Sequence, residues 1–113
     1  MPTKKIYKPL AQSRPATTSA TKVYSPATDV VGIIRTIIVC NVTANDATYR
    51  IFLDIDSTTY DADTALGYDH AIPGNRTIVW DVEIPMGEDS NLAVRTGTAS
   101  SLTFTIFGEE VTD

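Results

Sequence analysis

Residues 76–84, Arg-Thr-Ile-Val-Trp-Asp-Val-Glu-Ile, decide how this chain is read. Ile78, Trp80, Val82 and Ile84 recur at every second position, with Thr77, Asp81 and Glu83 among the residues between them. Successive side chains of a strand point to opposite faces, so this spacing predicts a strand with its apolar residues turned to a core. A helix would instead repeat apolar residues three and four apart, and no window of useful length does so. Residues 48–55 alternate in the same way, which predicts Tyr49, Ile51, Leu53 and Ile55 inward and Arg50, Phe52 and Asp54 toward solvent. Residues 32–42, Gly-Ile-Ile-Arg-Thr-Ile-Ile-Val-Cys-Asn-Val, are nearly all apolar and β-branched, the composition of a central strand buried on both faces.

Working outward from these three segments, Val23 and Tyr24 form a short strand that ends at Pro26, and Asn41–Asp46 holds turn residues. Ser57–Thr64 is a polar loop, and Leu66–Ile72 is a short edge strand closed by Pro73-Gly74-Asn75. Pro85–Ser90 turns, Asn91–Thr96 directs Leu92 and Val94 inward, and Gly97–Ser100 turns again. Leu102–Phe107 closes the set with Leu102, Phe104 and Ile106 on the core face. About seven short strands, each bounded by Gly, Pro, Asn or Asp, define an all-β antiparallel β-sandwich. Strand count and spacing suit a jelly-roll and an immunoglobulin-like order equally. The expected core is Ile37, Val39, Ile51, Leu53, Ile78, Trp80, Val94, Phe104 and Ile106, and Cys40 is expected within it.

Charge divides the chain unevenly. Residues 1–28 carry Lys4, Lys5, Lys8, Arg14 and Lys22 without an acid, whereas the rest sets fourteen acids against four arginines, for a net charge of −5 overall. Residues 1–20 also hold Pro2, Pro9 and Pro15 and lack periodicity, so they read as an extended basic N-terminal arm ahead of a sandwich domain over residues 21–113. Ile6, Tyr7 and Leu10 interrupt the polar arm and are its apolar anchors. The expected partner-binding set is therefore Lys4, Lys5, Ile6, Tyr7, Lys8, Leu10 and Arg14. Such an arm seeks a negative target. Nucleic acid is disfavoured because the acidic body would repel it and Tyr7 is the arm's only stacking aromatic. An acidic protein surface, including another copy of the chain, fits better. No apolar run approaches the ~18–20 residues of a membrane span, and no apolar segment follows the N-terminal charges as a secretory signal would require. A single cysteine permits no intrachain disulfide, so folding needs no oxidising compartment.

Little in the chain resembles catalytic machinery. Asp54, Asp56, Asp61 and Asp63 crowd one stretch, but their offsets fit no EF-hand loop, and a solvated strand end explains them; no metal or other cofactor is expected. His70 is the lone histidine and reads as a surface or edge residue. Without a phosphate-binding loop, a nucleophile elbow or a paired carboxylate frame, the chain reads as a non-enzyme. A second binding surface is available where Asp56, Tyr60, Asp61, Asp63 and Tyr68 gather at a loop end, an arrangement that would suit a glycan or receptor.

The order of the segments adds a resemblance. Leu10-Ala11-Gln12-Ser13 with Pro15-Ala16 is followed by Tyr24-Ser25-Pro26-Ala27, Val39-Cys40-Asn41 and Ala47-Thr48-Tyr49-Arg50-Ile51. Tyr68-Asp69, Ile72-Pro73-Gly74-Asn75, Leu102-Thr103-Phe104 and Phe107-Gly108-Glu109-Glu110 complete the series. From about Leu10 onward the chain resembles small structural proteins of tailed-bacteriophage virions, departing from them in the acidity of Ser57–Thr64. The resemblance implies a decoration or cement protein on the head exterior, assembled in the host bacterial cytoplasm. Its partners would be the major capsid protein or other virion proteins, and its oligomer a trimer. A tail-tip or fibre receptor-binding module and a neck or tail connector are the alternative roles.

Overall fold

The computed structural model describes residues 3–112 and consists of eight strands with one short 3-10 turn. They are β1 (Lys4–Ser13), β2 (Thr21–Tyr24), β3 (Val31–Asn41), β4 (Ala47–Asp54), β5 (Ala65–Ile72), β6 (Thr77–Met86), β7 (Asn91–Thr96) and β8 (Leu102–Thr112), with the turn at Ala62–Thr64. Two four-stranded sheets face each other, ordered β1-β8-β3-β6 and β2-β7-β4-β5, and every pairing is antiparallel. Only β4 and β5 are neighbours both in sequence and in a sheet. Elsewhere the chain crosses from one sheet to the other, which is the two-Greek-key order of a jelly roll. The all-β sandwich expected from the alternation is therefore present, and the strand order selects the jelly roll over the immunoglobulin arrangement.

The core lies between the sheets and follows the period-two pattern. Ile37 and Val39 of β3, Ile51 of β4, Val94 of β7, and Phe104 and Ile106 of β8 are fully enclosed, while Leu53, Ile78 and Trp80 are partly buried against them. Ile34, Tyr49, Ile72, Met86, Leu92 and Leu102 complete the interior. Trp80 closes the open flank between β6 and β5: its Nε1–H donates to Tyr49 Oη at 2.8 Å, and its ring meets His70 edge-on. His70 is exposed on the edge strand β5, stacked on Tyr49.

Four expectations are corrected. The first concerns the arm: residues 4–13 extend, as expected, but lie along β8 as the edge strand β1, so the boundary near residue 20 does not separate an arm from a domain. Backbone pairing from Lys4↔Thr112 to Ser13↔Phe104 gives the segment hydrogen-bond partners that its sparse apolar content did not foreshadow. Second, β4 does not keep strict alternation to its end. Phe52 and Asp54 are buried and Ile55 is exposed, because the loop after β4 folds back over the outer side of its sheet. Third, β3 buries only one face within the chain; Ile33 and Ile38 stay half-buried on the outer side. Fourth, Cys40 is half-buried on that same outer side, since its neighbours Val39 and Asn41 occupy the inward positions.

One level of the first sheet has irregular register. Pro9 pairs with Phe107 and Ala11 with Ile106, leaving Leu10 as an extra residue in β1. Ile34 pairs with Gly108 and Thr36 with Phe107, leaving Arg35 as an extra residue in β3. Bulges thus flank β8 on both sides around Phe107, opposite Ile106–Phe107 in β1 and opposite Phe107–Gly108 in β3, bending the strands and increasing twist there. The bend brings backbone close: a Cβ on Gly108 would strike the carbonyl oxygen of Ile33 and lie 2.8 Å from Leu10 Cδ1. Gly108→Ala is expected to destabilise the fold by about 1–3 kcal/mol, the usual cost of overpacking. A lowered urea midpoint with unchanged slope would show this; an unchanged midpoint would mean the bulges relax freely.

Candidate assembly surface

The basic residues expected to reach a partner find acids in their own chain. Lys5 Nζ lies 3.3 Å from Glu109 Oε2, and Lys8 Nζ lies 2.7 Å from Glu110 Oε1. Register explains both contacts. Lys5 stands opposite Val111, and Lys8 opposite Gly108, so each lysine is diagonal to a glutamate on its own face. Glu109 also accepts from Arg35 Nε at 3.2 Å, and Arg35 Nη1 reaches Glu83 at 2.7 Å. On the opposite face Tyr24 Oη donates to Glu110 Oε2 at 2.7 Å, tying β2 to the end of β8. Burial pushes Glu109 upward, but hydrogen bonds from Arg35 and Lys5 outweigh it and hold the carboxyl below its ordinary range. Glu110 is lowered chiefly by Lys8, then by Tyr24. Burial and the Glu110 contact raise the Tyr24 hydroxyl far above its usual value.

Of the remaining arm residues, Lys4 and Arg14 are exposed and form no ion pair among the described residues. Ile6 and Tyr7 are 50% and 62% exposed, so these two anchors are available to a partner. Leu10 differs: it sits at the bulge, packs against the core, and lines a shallow groove of about 420 Å³ with Pro9, Ala11, Gln12, Thr105 and Phe107. Sequence reasoning missed Glu109 and Glu110 as the basic strand's partners, and Arg35, Glu83 and Tyr24 as the rest of the network around them. The segregation of charge was itself the signal.

The acidic loop spends its polar groups on its own shape. Asp54 accepts from the backbone N–H of Asp56 at 3.1 Å and of Thr59 at 2.8 Å. Those bonds, led by the one from Asp56, hold Asp54 below the ordinary carboxylate range despite its burial. Asp61 caps the 3-10 turn by accepting from Asp63 N–H at 2.9 Å, while its own N–H donates to Thr64 Oγ1 at 3.2 Å. Asp56 and Asp63 are exposed. Tyr60 turns inward with its ring 6.2 Å from that of Phe52, covering the face of β4 that alternation had assigned to solvent. Burial raises its hydroxyl pKa, and the Asp54 charge adds to this. Tyr68 is held elsewhere, under the Arg50 guanidinium at 3.8 Å, while Arg50 grips Asp69 through Nε at 2.7 Å and Nη2 at 3.0 Å. Asp69 takes the left-handed conformation (φ 52°) that lets β5 bulge opposite Arg50. The loop set is thus split: Asp61 and Asp63 shape a self-capped turn, Asp56 is exposed, the Tyr60 ring is half-buried, and the Tyr68 ring is already stacked on a cation.

No protein-family model matches this chain, and no curated protein matches it. Its fold does have solved counterparts. A chain in the structure of infectious bursal disease virus, Gx strain, aligns with a TM-score of 0.50 at 13% identity, over 98% of this chain and 33% of that one. A chain in the T13 particle of the same virus gives 0.52 at 10% identity, over 97% and 30%. This chain therefore spans about a third of the length of those it matches. The class the fold defines is a jelly roll, and these two chains share that fold with it. Both counterparts come from infectious bursal disease virus rather than from a tailed phage.

The lowered glutamates set a pH window. Their folded pKa values lie below the unfolded ones, so the stability they contribute is complete above the ordinary carboxylate range of ~4.3 and drains as pH falls through the lowered values. Exposed pairs of this kind contribute only ~0–1 kcal/mol each, so β1 should loosen before the sandwich unfolds. Amide exchange from neutral pH to about pH 3, corrected for the intrinsic rate, should show protection lost first at residues 4–8. Simultaneous loss across β3 and β4 would contradict this.

Proposed function

We propose that this chain is a non-enzymatic structural protein of a virus particle, acting as a decoration or cement protein on the exterior of a tailed-phage head. The observation that carries the reading is the strand order β1-β8-β3-β6 facing β2-β7-β4-β5, shared as a fold with chains of a virus particle over nearly the whole of this one. The tailed-phage assignment rests on the resemblance of the short motifs from Leu10 to Glu110. In this role the protein attaches through β1: Ile6 and Tyr7 supply apolar contact, while Lys4 and Arg14 supply charge not already paired within the chain. The major capsid protein or another virion protein is the surface that receives them. Burying an exposed Ile and Tyr contributes more than an exposed ion pair, so the apolar anchors dominate.

The glycan- or receptor-binding alternative is less well served by its loop, since Tyr60 covers Phe52 and one face of Tyr68 is taken by Arg50, while Asp56, Asp61 and Asp63 stay exposed. The trimer that the resemblance implies belongs to the same reading, three copies attaching together through their β1 strands. Immunogold labelling of particles from a producing culture, purified on a density gradient, tests the reading. Label over the heads is expected; label at tail tips would favour the receptor role, and protein confined to the soluble fraction would overturn the virion assignment. The paired change Ile6→Asp and Tyr7→Asp should cut the particle-bound fraction at least roughly tenfold while leaving the thermal midpoint within a few degrees, because both residues are exposed.

A further inference from the structure

The open edges of the two sheets are not equally guarded. An unpaired strand edge invites a further strand unless lysine, proline or a bulge discourages it. β1 carries three lysines, Pro9 and the Leu10 bulge, β2 is four residues long, and β5 shifts register twice. On β6 the guards gather at one end, where Val82 and Glu83 together oppose Arg35 and Pro85 follows. From Thr77 to Asp81, β6 pairs with Cys40 to Thr36 of β3 without a shift. Asn41 N–H donates to the Arg76 carbonyl at 2.9 Å, which fixes the alternation of this ladder. Ile78 and Trp80 therefore bond to β3, and Thr77, Val79 and Asp81 turn N–H and C=O to the open side.

The inner side of the same strand is also unfinished. Ile78, Trp80, Val82 and Ile84 are all half-buried, whereas Ile34, Ile37 and Val39 of neighbouring β3 are fully enclosed. On the outer side Val79 is 57% exposed. Charge describes what this flank accepts. Residues 51–94, which contain β5 and β6 whole, hold nine acids against one arginine, Arg76, and no lysine. Asp81 forms no ion pair among the described residues, and Glu83 stays largely exposed while touching Arg35.

We propose that the Thr77–Asp81 edge of β6 receives an extended segment of another protein in which basic and apolar residues alternate. The added strand bonds to the free backbone groups of Thr77, Val79 and Asp81. Its apolar side chains, on the inner side, complete the cover of Ile78, Trp80 and Val82. Its basic side chains, on the outer side, stand beside Asp81 and Glu83. The chain already contains one such pairing: β1, basic and poor in apolar residues, is seated on β8 with lysines diagonal to Glu109 and Glu110. β6 is at the opposite edge of the sheet from β1, so this contact neither competes with attachment through Ile6 and Tyr7 nor depends on the decoration reading.

A capped synthetic peptide alternating lysine and valine, set against its glutamate–valine counterpart, tests the proposal on the full-length protein. Trp80 is the chain's single tryptophan, so its emission reports events on β6. The lysine peptide is expected to bind and shift that emission, to weaken as salt is raised, and to slow amide exchange at Thr77, Val79 and Asp81. Val79→Pro removes an N–H that faces the open side and no bond to β3. The thermal midpoint should stay within a few degrees while binding falls at least roughly tenfold. Asp81→Lys leaves the backbone unaltered and should reverse the preference between the two peptides. No binding of the lysine peptide, equal binding of both, protection gained away from β6, or full binding by Val79→Pro would overturn the proposal. Sedimentation equilibrium of the protein alone tests the rival occupant: a wild-type dimer that Val79→Pro abolishes would give the edge to a second copy instead. Absence of the protein from particles would count against the decoration reading alone.

Discussion

Everything in this fold waits on β8. It is the last strand in the chain, yet it lies inside its sheet, paired along one side with β1 and along the other with β3. Phe104 and Ile106 bring its inward side chains to the middle of the core, and Glu109 and Glu110 bring both lysine contacts of β1 to its far end. Until β8 is in place, β1 has no neighbour in its sheet and β3 has only β6. Nearly every pairing spans a long stretch of sequence, so loop-closure entropy must be met before contacts compensate it, which places the chain among slow-folding topologies.

The parts of this architecture legible in the sequence were those governed by local periodicity. Ile78, Trp80, Val82 and Ile84 occupy the inward positions their alternation predicted, and most of the expected core is enclosed. Strand order was not legible, because a jelly roll uses just one hairpin between adjacent strands here, β4 to β5, and its other partners are chosen by packing across the molecule. Phe52 misled for a related reason. A strand's solvent side is polar only if nothing covers it, and Tyr60 arrives from a loop whose course depends on the buried Asp54.

The N-terminal segment shows the same limit from the opposite direction. Its composition lacked the apolar surface to order itself, and indeed β1 contributes no fully buried side chain. It is ordered by backbone hydrogen bonds to β8 and by ion pairs between a basic strand and an acidic one. Charge segregation was visible in the sequence, but the identity of the acids was not, because register alone brings Glu109 and Glu110 beside Lys5 and Lys8. The bulge at Leu10, with Pro9 and the nearby lysines, also makes this edge a poor template for uncontrolled strand addition, so contacts through its exposed side chains are favoured over sheet extension.

The charge pairing between the first and last strands acts before there is a fold. In the unfolded chain, a segment without acids and a distant one rich in them attract each other, drawing the two ends of a long random coil together at low ionic strength. The same attraction that later tethers β1 thereby shortens the search for the least local pairing in the molecule. Salt, which barely touches the enclosed core, removes that guidance, so this protein's refolding rate should respond to ionic strength far more than its final stability does.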